Sequence, residues 1–233
     1  MVVGAGSAGC AIANRLSESG RYTVALLEAG GKDVSPWIHI PVGYFKTMGH
    51  KSMDWNYKTE PDKGLNGRSI SWPRGRVLGG SSSINGLLYV RGQPQDFNHW
   101  RQLGNTGWSW DDVLPYFKRA ESWQGDDPID SARGRNGPLK VSPTRLSREI
   151  VDKWVEAAIA AGYRHCSDYN GTDQEGVGYF QLTSHRGRRW SSAVAYLKPA
   201  RHRQNLKIFT STQAERLIVN DGRTVAVRAN IRG

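Results

Sequence analysis

The chain has 233 residues, two cysteines and a formal net charge of +11, with a mean hydropathy of −0.58. That length suits one or two domains with a sizeable core, and no apolar run is long enough to span a bilayer. Two cysteines, Cys10 and Cys166, provide no disulfide framework, and no signal-peptide pattern is read at the start, so a reducing, cytoplasmic setting is expected. The basic residues are scattered, with short clusters only at Arg186–Arg189 and Arg201–Arg203, and no DNA- or RNA-binding signature accompanies them. A cationic surface without a nucleic-acid partner is the expectation.

The run Met1-Val2-Val3-Gly4-Ala5-Gly6-Ser7-Ala8-Gly9-Cys10 predicts a buried strand, a glycine turn and a helix. Gly4 permits the tight turn, Gly6 lets backbone approach a pyrophosphate, and Gly9 lets helix and sheet touch. The helix N-terminus offers N–H groups and a positive dipole end to phosphates. Ala8, Ile12 and Leu16 recur every fourth position and define the expected apolar face, with Gly20 closing the helix. Tyr22–Leu27 then reads as a second buried strand. It ends at Glu28, roughly twenty residues past the turn, where such folds place an acid on a ribose hydroxyl. A carboxylate there repels a 2′-phosphate. These residues alone leave FAD and NAD both open.

From Pro36 to Lys63 the chain is rich in aromatics and turn residues without a clear period. It fits either a self-packed loop or a lid over a cofactor. Next comes Trp72-Pro73-Arg74-Gly75-Arg76-Val77-Leu78-Gly79-Gly80-Ser81-Ser82-Ser83-Ile84-Asn85-Gly86-Leu87-Leu88-Tyr89-Val90-Arg91-Gly92. Its small residues add little to a core and suit backbone that approaches a flat or charged ligand, with hydroxyls ready to donate.

A short helix is expected over Gln95–Arg101. Ser109 with Asp112 predicts a capped helix with Trp110, Val113, Leu114 and Phe117 on one face, kinked or shortened by Pro115. Gly125–Pro138 reads as a loop and candidate boundary. Val151, Trp154, Val155 and Ala158 mark an amphipathic helix closed by Gly162. His165, Cys166 and Asp168 lack a second ligand pair at structural-zinc spacing, so no metal is expected. A short apolar helix follows Ser191-Ser192 and ends at Pro199. Leu206–Val219 alternates as a strand, and Asn220-Asp221-Gly222 reads as a hairpin turn.

The glycine turn, Glu28-Ala29-Gly30-Gly31 and the run Gly75–Asn85 followed by Tyr89 and Gly92 together resemble the glucose–methanol–choline (GMC) flavin oxidoreductase family. Trp108–Phe117 and Gly176–Gln181 resemble its choline dehydrogenase-like members. The resemblance covers essentially the whole chain but only the N-terminal half of the family's sequence. It implies an α/β fold: a Rossmann-like FAD-binding domain of GMC type with part of an α+β substrate-binding domain, truncated. Residues 1–140 would be the first part of the FAD domain, 141–185 the start of the substrate-binding region, and 186–233 an incomplete return to the FAD domain.

The resemblance also selects FAD. It implies that Gly4, Gly6, Ser7, Ala8 and Gly9 hold the pyrophosphate and that Glu28, followed by Ala29 and Gly30, meets the adenosine ribose. Val77, Gly80, Ser81, Asn85 and Gly86 would line the flavin side, and the backbone at Ala214 would meet adenine. Some members tether FAD through a histidine just before that asparagine. Ile84 stands there and cannot form such a bond, so non-covalent FAD is implied. The implied reaction is oxidation of a primary alcohol, choline-like or another CH–OH donor, by hydride transfer to flavin.

The family supplies its catalytic histidine from near its C-terminus. None of the histidines at 39, 50, 99, 165, 185 and 202 matches it, so no catalytic residue is assigned. A non-catalytic FAD-binding fragment is therefore the alternative expectation, with little turnover from the chain alone. Substrate identity, electron acceptor, oxidase against dehydrogenase, peripheral membrane contact and homo-oligomerisation all stay open.

Overall fold

In the computed structural model, which describes residues 1–125 and 131–231, the chain divides into two units. One is Met1–Gly86 with Gly187–Gly233, and the other is Leu87–Arg186. The first stretch holds β1 (Val2–Val3), α1 (Ser7–Glu18), β2 (Val24–Leu27), α2 (Pro36–His39), α3 (Tyr44–Thr47), β3 (Tyr57–Lys58) and β4 (Ser71–Trp72). Leu87–Arg186 holds β5 (Leu88–Tyr89), α4 (Pro94–Gln102), α5 (Trp110–Ala120), β6 (Glu121–Trp123), β7 (Leu139–Val141), α6 (Glu149–Ala160), β8 (Gln181–Leu182) and β9 (Ser184–His185). The last stretch holds β10 (Arg188–Arg189), a π-helical turn at Ala193–Leu197, α7 (Lys198–Ala200), β11 (Leu206–Phe209), β12 (Thr212–Asn220) and β13 (Arg223–Ile231). Residues 87–140 thus group with 141–186, whereas the sequence reading joined them to the first part of the chain.

In the first unit β2 is the middle of a parallel sheet of order β1-β2-β11. Val2 and Val3 lie beside Leu26 and Leu27, and Leu206–Phe209 run along Val24–Leu27 on the other side. α1 is the crossover between β1 and β2, as the motif predicts, but its buried face is not the expected one. Gly9, Cys10, Ala13, Asn14 and Ser17 are buried, while Ile12 and Leu16 are 47% and 42% exposed. Small residues bring this helix close to its neighbours, and polar contacts then fix it. Asn14 Nδ2 donates to Tyr196 O at 2.7 Å, and Arg203 Nη1 donates to Asn14 O at 2.6 Å and Ser17 Oγ at 2.9 Å.

The expected single strand from Leu206 to Val219 is two strands. β11 joins the parallel sheet, Ser211 takes φ +53°, and β12 continues as an antiparallel ribbon with β13. Asp221 (φ +47°) and Gly222 (φ +71°) form the ribbon's turn, the backbone that a two-residue hairpin needs. The aromatic stretch after Pro36 folds into α2, α3 and short 3-10 turns rather than an irregular loop. Ile38 from it joins Met53, Val77 and Ile84 in a buried apolar cluster.

In the second unit α5 begins with the expected reciprocal cap. Ser109 Oγ accepts from Asp112 N at 3.3 Å, and Asp112 Oδ2 accepts from Ser109 N at 3.0 Å. Pro115 does not shorten the helix, which runs to Ala120. The carbonyl it leaves without a helical donor belongs to exposed Asp111, where water can replace the bond. Phe97 packs against Trp110 and Phe117 with ring centroids 5.8 and 5.6 Å apart, joining α4 to α5. The expected loop at Gly125–Pro138 lies partly outside the described residues.

Below these helices lies a buried ionic network. Glu121 accepts from Arg91 Nη2 at 2.6 Å and Arg133 Nη2 at 2.5 Å. Arg133 Nη1 also reaches Asp168 Oδ1 at 2.5 Å, and its guanidinium lies 4.2 Å from the Trp123 ring centroid. Two cations face two carboxylates, so the interior charge balances. Glu121→Gln leaves the arginines under-compensated, and the expected loss is about 3–5 kcal/mol. Urea denaturation checks this, and an unchanged midpoint would show that the network contributes nothing net.

Candidate functional site

All of the expected site residues lie in the unit made of Met1–Gly86 and Gly187–Gly233. Gly4 adopts φ +86°, a conformation that favours glycine, while its N–H donates to Leu27 O at 2.8 Å. The chain therefore leaves β1 by a tight turn and enters α1 immediately. A Cβ on Gly9 would fall 1.9 Å from Gly4 O, so only glycine allows the first helical turn to sit there. A Cβ on Gly6 would meet nothing within 4 Å. Ser7 and Ala8 are exposed. The first helical bond is Cys10 N to Gly6 O at 3.0 Å, which leaves the N–H groups of the first turn without a helical acceptor. No side chain caps this end and its first turn carries no acid.

A second glycine turn abuts the first. Gly79 N donates to Ala5 O at 2.7 Å. A Cβ on Gly80 would lie 2.7 Å from Gly6 Cα, so the two backbones touch. Val77 is buried beneath this turn. Gly31 is bridged to Val77, and a Cβ on Gly30 would collide with Arg76 O at 1.9 Å. Neighbouring Ala29 is half-buried. The end of β2, the first turn and the Gly75–Gly86 stretch therefore form one surface of backbone with few side chains.

Two of the serine hydroxyls donate to this backbone, while Ser81 only accepts from it. Ser82 Oγ donates to Gly79 O at 2.6 Å and Ser83 Oγ to Leu78 O at 2.7 Å. Ser81 Oγ accepts from Gly75 N at 3.1 Å. Asn85 and Gly86 are exposed at the end of the run, and Ile84 points into the apolar cluster. Ala214 pairs with Ala229 on the ribbon. The hinge just before it is tied to the site, with Ser211 N donating to Gly30 O and Thr212 N to Glu28 O, each at 2.8 Å.

Glu28 is buried, and its carboxylate clips the site together. Oε2 accepts from Ala5 N and Oε1 from Gly30 N, each at 2.8 Å. Burial raises its pKa, while the two N–H groups and the Arg76 cation act in the opposite direction. Each oxygen keeps a second lone pair that can accept a hydroxyl.

Sequence reasoning assigned no role to two arginines here. Arg76 lies over the Trp55 ring at 4.8 Å, and among the described residues its buried Nε has no hydrogen-bond partner. Arg189 is fully buried and donates to Ile38, Ser82 and Asn85. Nothing in Gly187-Arg188-Arg189 separates buried Arg189 from exposed Arg188, and only strand alternation at β10 hints at it. A side-chain-free cradle, an uncapped helix N-terminus and an unsatisfied arginine nitrogen fit a dinucleotide cofactor.

A parallel sheet with a glycine-turn cradle at the carboxyl ends of its strands defines a dinucleotide-binding α/β protein. The N-terminal family model of the GMC oxidoreductases matches residues 1–233, and the chain belongs to that family. The chain is 46% identical over 233 residues to the oxygen-dependent choline dehydrogenase of Rhizobium johnstonii, covering 100% of this chain and 42% of that protein. It is 47% identical over 227 residues to the protein of the same name from Brucella canis, covering 97% and 41%. Among solved structures, the pyridoxine 4-oxidase from Mesorbium loti superposes with a TM-score of 0.91 at 35% identity, covering 97% of this chain and 45% of that one. A formate oxidase gives 0.85 at 28% identity, covering 97% and 41%. The chain thus spans about two-fifths of the length of the curated relatives it matches.

The cradle gives a paired prediction. Gly9→Ala gains helix propensity but drives a methyl into Gly4 O, and the expected net loss is about 2–3 kcal/mol. Gly6→Ala meets open space and should cost about 1 kcal/mol or less, the effect of alanine at an N-cap. Thermal unfolding of both variants checks this, and equal losses would show that the contact at Gly9 is unimportant.

Glu28 gives a pH prediction. An acid whose pKa is raised on folding takes up protons as the chain folds. Its contribution is therefore most favourable below the unfolded pKa and is lost as pH rises towards the folded value. Glu28→Gln should remove that fall from the stability–pH curve while leaving one N–H without an acceptor. An identical curve in the variant would show that Glu28 does not titrate in this range.

Proposed function

We propose that this chain is the N-terminal part of an FAD-dependent oxidoreductase that oxidises an alcohol. The observation that supports it most is the contact of the Gly4–Gly9 turn with the Gly79–Gly80 turn, which builds a cradle from backbone alone. Bound FAD would supply a two-electron acceptor for hydride from a CH–OH carbon. The chain's own residues bind and orient it. N–H groups at Gly6, Ser7, Ala8 and Gly9, with the turn at Gly4, receive the pyrophosphate. The Glu28 carboxylate accepts from the adenosine ribose, with Ala29 and Gly30 allowing close passage. Val77, Gly80, Ser81, Asn85 and Gly86 line the flavin side, and the backbone at Ala214 meets adenine.

In this reading Leu87–Arg186 opens the substrate-binding part. Ile84 is engaged in the apolar cluster and has no nucleophile, so the cofactor is held without a covalent bond. No histidine of this chain is given the role of base. Relatives are named for choline, pyridoxine and formate, of which the first two are alcohols, so the substrate is kept at the level of a small alcohol, with choline the first to assay. The two free cysteines support a reducing, cytoplasmic setting. Among the described residues no helix is long and apolar enough to cross a membrane.

The second reading is FAD binding without turnover. The visible spectrum of the purified protein, before and after acid precipitation, tests the cofactor assignment. Flavin bands that leave with the supernatant are expected. Flavin retained in the pellet would overturn the non-covalent assignment, and a folded, colourless protein that refuses added FAD would overturn the whole reading. Reduction of the bound flavin by an alcohol separates the enzyme from the non-catalytic fragment.

A further inference from the structure

Arg189 is buried to 1% of its surface, the largest side chain so enclosed among the described residues. Such a cation ordinarily faces a carboxylate. Every acceptor it uses among the described residues is neutral. Nε donates to Ile38 O at 2.7 Å, Nη1 to Ser82 O at 3.1 Å and Asn85 Oδ1 at 2.8 Å, and Nη2 to Asn85 O at 2.7 Å. Burial without a compensating carboxylate pushes its pKa down to about 10. The guanidinium remains charged, and charge-assisted bonds of this kind are stronger than neutral ones.

The planar fork thus grips both ends of the Ser82–Asn85 run and fastens it to α2. Two consequences follow from the donor inventory. The Asn85 carbonyl and amide oxygen are held on one rigid group, so the last residue of the run cannot swing. Arginine has no acceptor, so it selects the oxygen half of the Asn85 amide and directs the NH₂ half elsewhere. Lysine could not reproduce this, because a single ammonium cannot span these four acceptors in one plane.

The geometry points to Arg189 as the positioning residue of the flavin side: it locks the Gly80–Gly86 run and sets the orientation of the Asn85 amide before FAD arrives. This rests on the FAD reading above. Arg189 acts through Asn85 and the Ser82 carbonyl rather than by touching the cofactor itself. A cofactor meeting a loop already fixed loses less entropy on binding than one that must order it.

The test compares the wild-type protein, Arg189→Lys, Asn85→Leu and the double variant. FAD affinity is measured by quenching of flavin fluorescence, the visible circular dichroism of bound flavin is recorded, and unfolding in urea is followed without FAD. Arg189→Lys is expected to weaken FAD binding about tenfold or more, the equivalent of one lost charge-assisted contact. It should also change the flavin dichroism. The double variant should lose less than the two single losses combined, because both act on one contact.

A wild-type protein that refuses FAD overturns the cofactor reading and this inference with it. Wild type that binds while Arg189→Lys binds equally well, with the same dichroism, overturns the inference alone. So does a variant that merely unfolds more easily while its folded fraction keeps wild-type affinity. Should Arg189→Lys not fold, Asn85→Leu decides alone: unchanged affinity and dichroism would show that the amide held by Arg189 has no role.

Discussion

The contact on which the rest of the cofactor-binding unit depends is that of one backbone against another. Gly9 meets Gly4 O at a distance no side chain tolerates, and Gly80 meets Gly6 Cα in the same way. These two contacts fix where α1 starts, how far β1 can run before it turns, and where the Gly75–Gly86 stretch lies. Glu28 and the hinge at Ser211–Thr212 then attach to an arrangement already set by excluded volume. Close-packed backbone has little freedom to adjust, so a single added methyl must move whole elements. This explains why the small residues of α1 face inward and its larger apolar residues do not.

Once side chains are excluded from the cradle, its polar groups must be held from behind. The unit does this with buried charges held mostly by main-chain groups: Glu28 by two N–H groups, with the Arg76 cation nearby, and Arg189 by three carbonyls and the Asn85 side-chain oxygen. Leu87–Arg186 solves its own burial problem differently, by balancing Arg91 and Arg133 against Glu121 and Asp168. The balanced network tolerates burial through mutual attraction. The lone charges instead tie distant backbone segments to one point, and their desolvation appears as a raised acid and a lowered guanidinium. Both devices hold backbone, since Glu121 also accepts from Gly134 N and Arg91 donates to Ala132 O, but only the Arg189 cation does so through neutral acceptors alone.

Much of this was legible in the sequence. The strand–turn–helix at Gly4–Gly9, the strand ending at Glu28, the cap at Ser109 and the hairpin at Asp221-Gly222 all follow from local chemistry, and the structure has each. The phase of α1 did not follow. Periodicity correctly announced a helix, but hydrophobicity pointed to Ile12 and Leu16 whereas close approach selected Gly9, Cys10 and Ala13. The hydroxyls of Ser82 and Ser83 are engaged for a related reason: the nearest acceptors are the carbonyls of Gly79 and Leu78 just before the turn, and they are taken first. Arg189 was invisible because its partners come from residues more than a hundred positions away, and no local pattern records a long-range acceptor.

A site built this way explains which questions its residues answer and which they do not. Backbone N–H groups, glycine clearance and a buried carboxylate suit what all dinucleotides share. None of them distinguishes one alcohol from another, since that requires side chains aimed at the reacting carbon. The arginines are the exception, because they carry directional information into an otherwise featureless cradle. Among the described residues Arg76 presents a donor without an acceptor, and Arg189 fixes the amide at the open end of the glycine–serine run. The orientation of that amide is therefore set less by the loop's own small residues than by the buried cation that holds it.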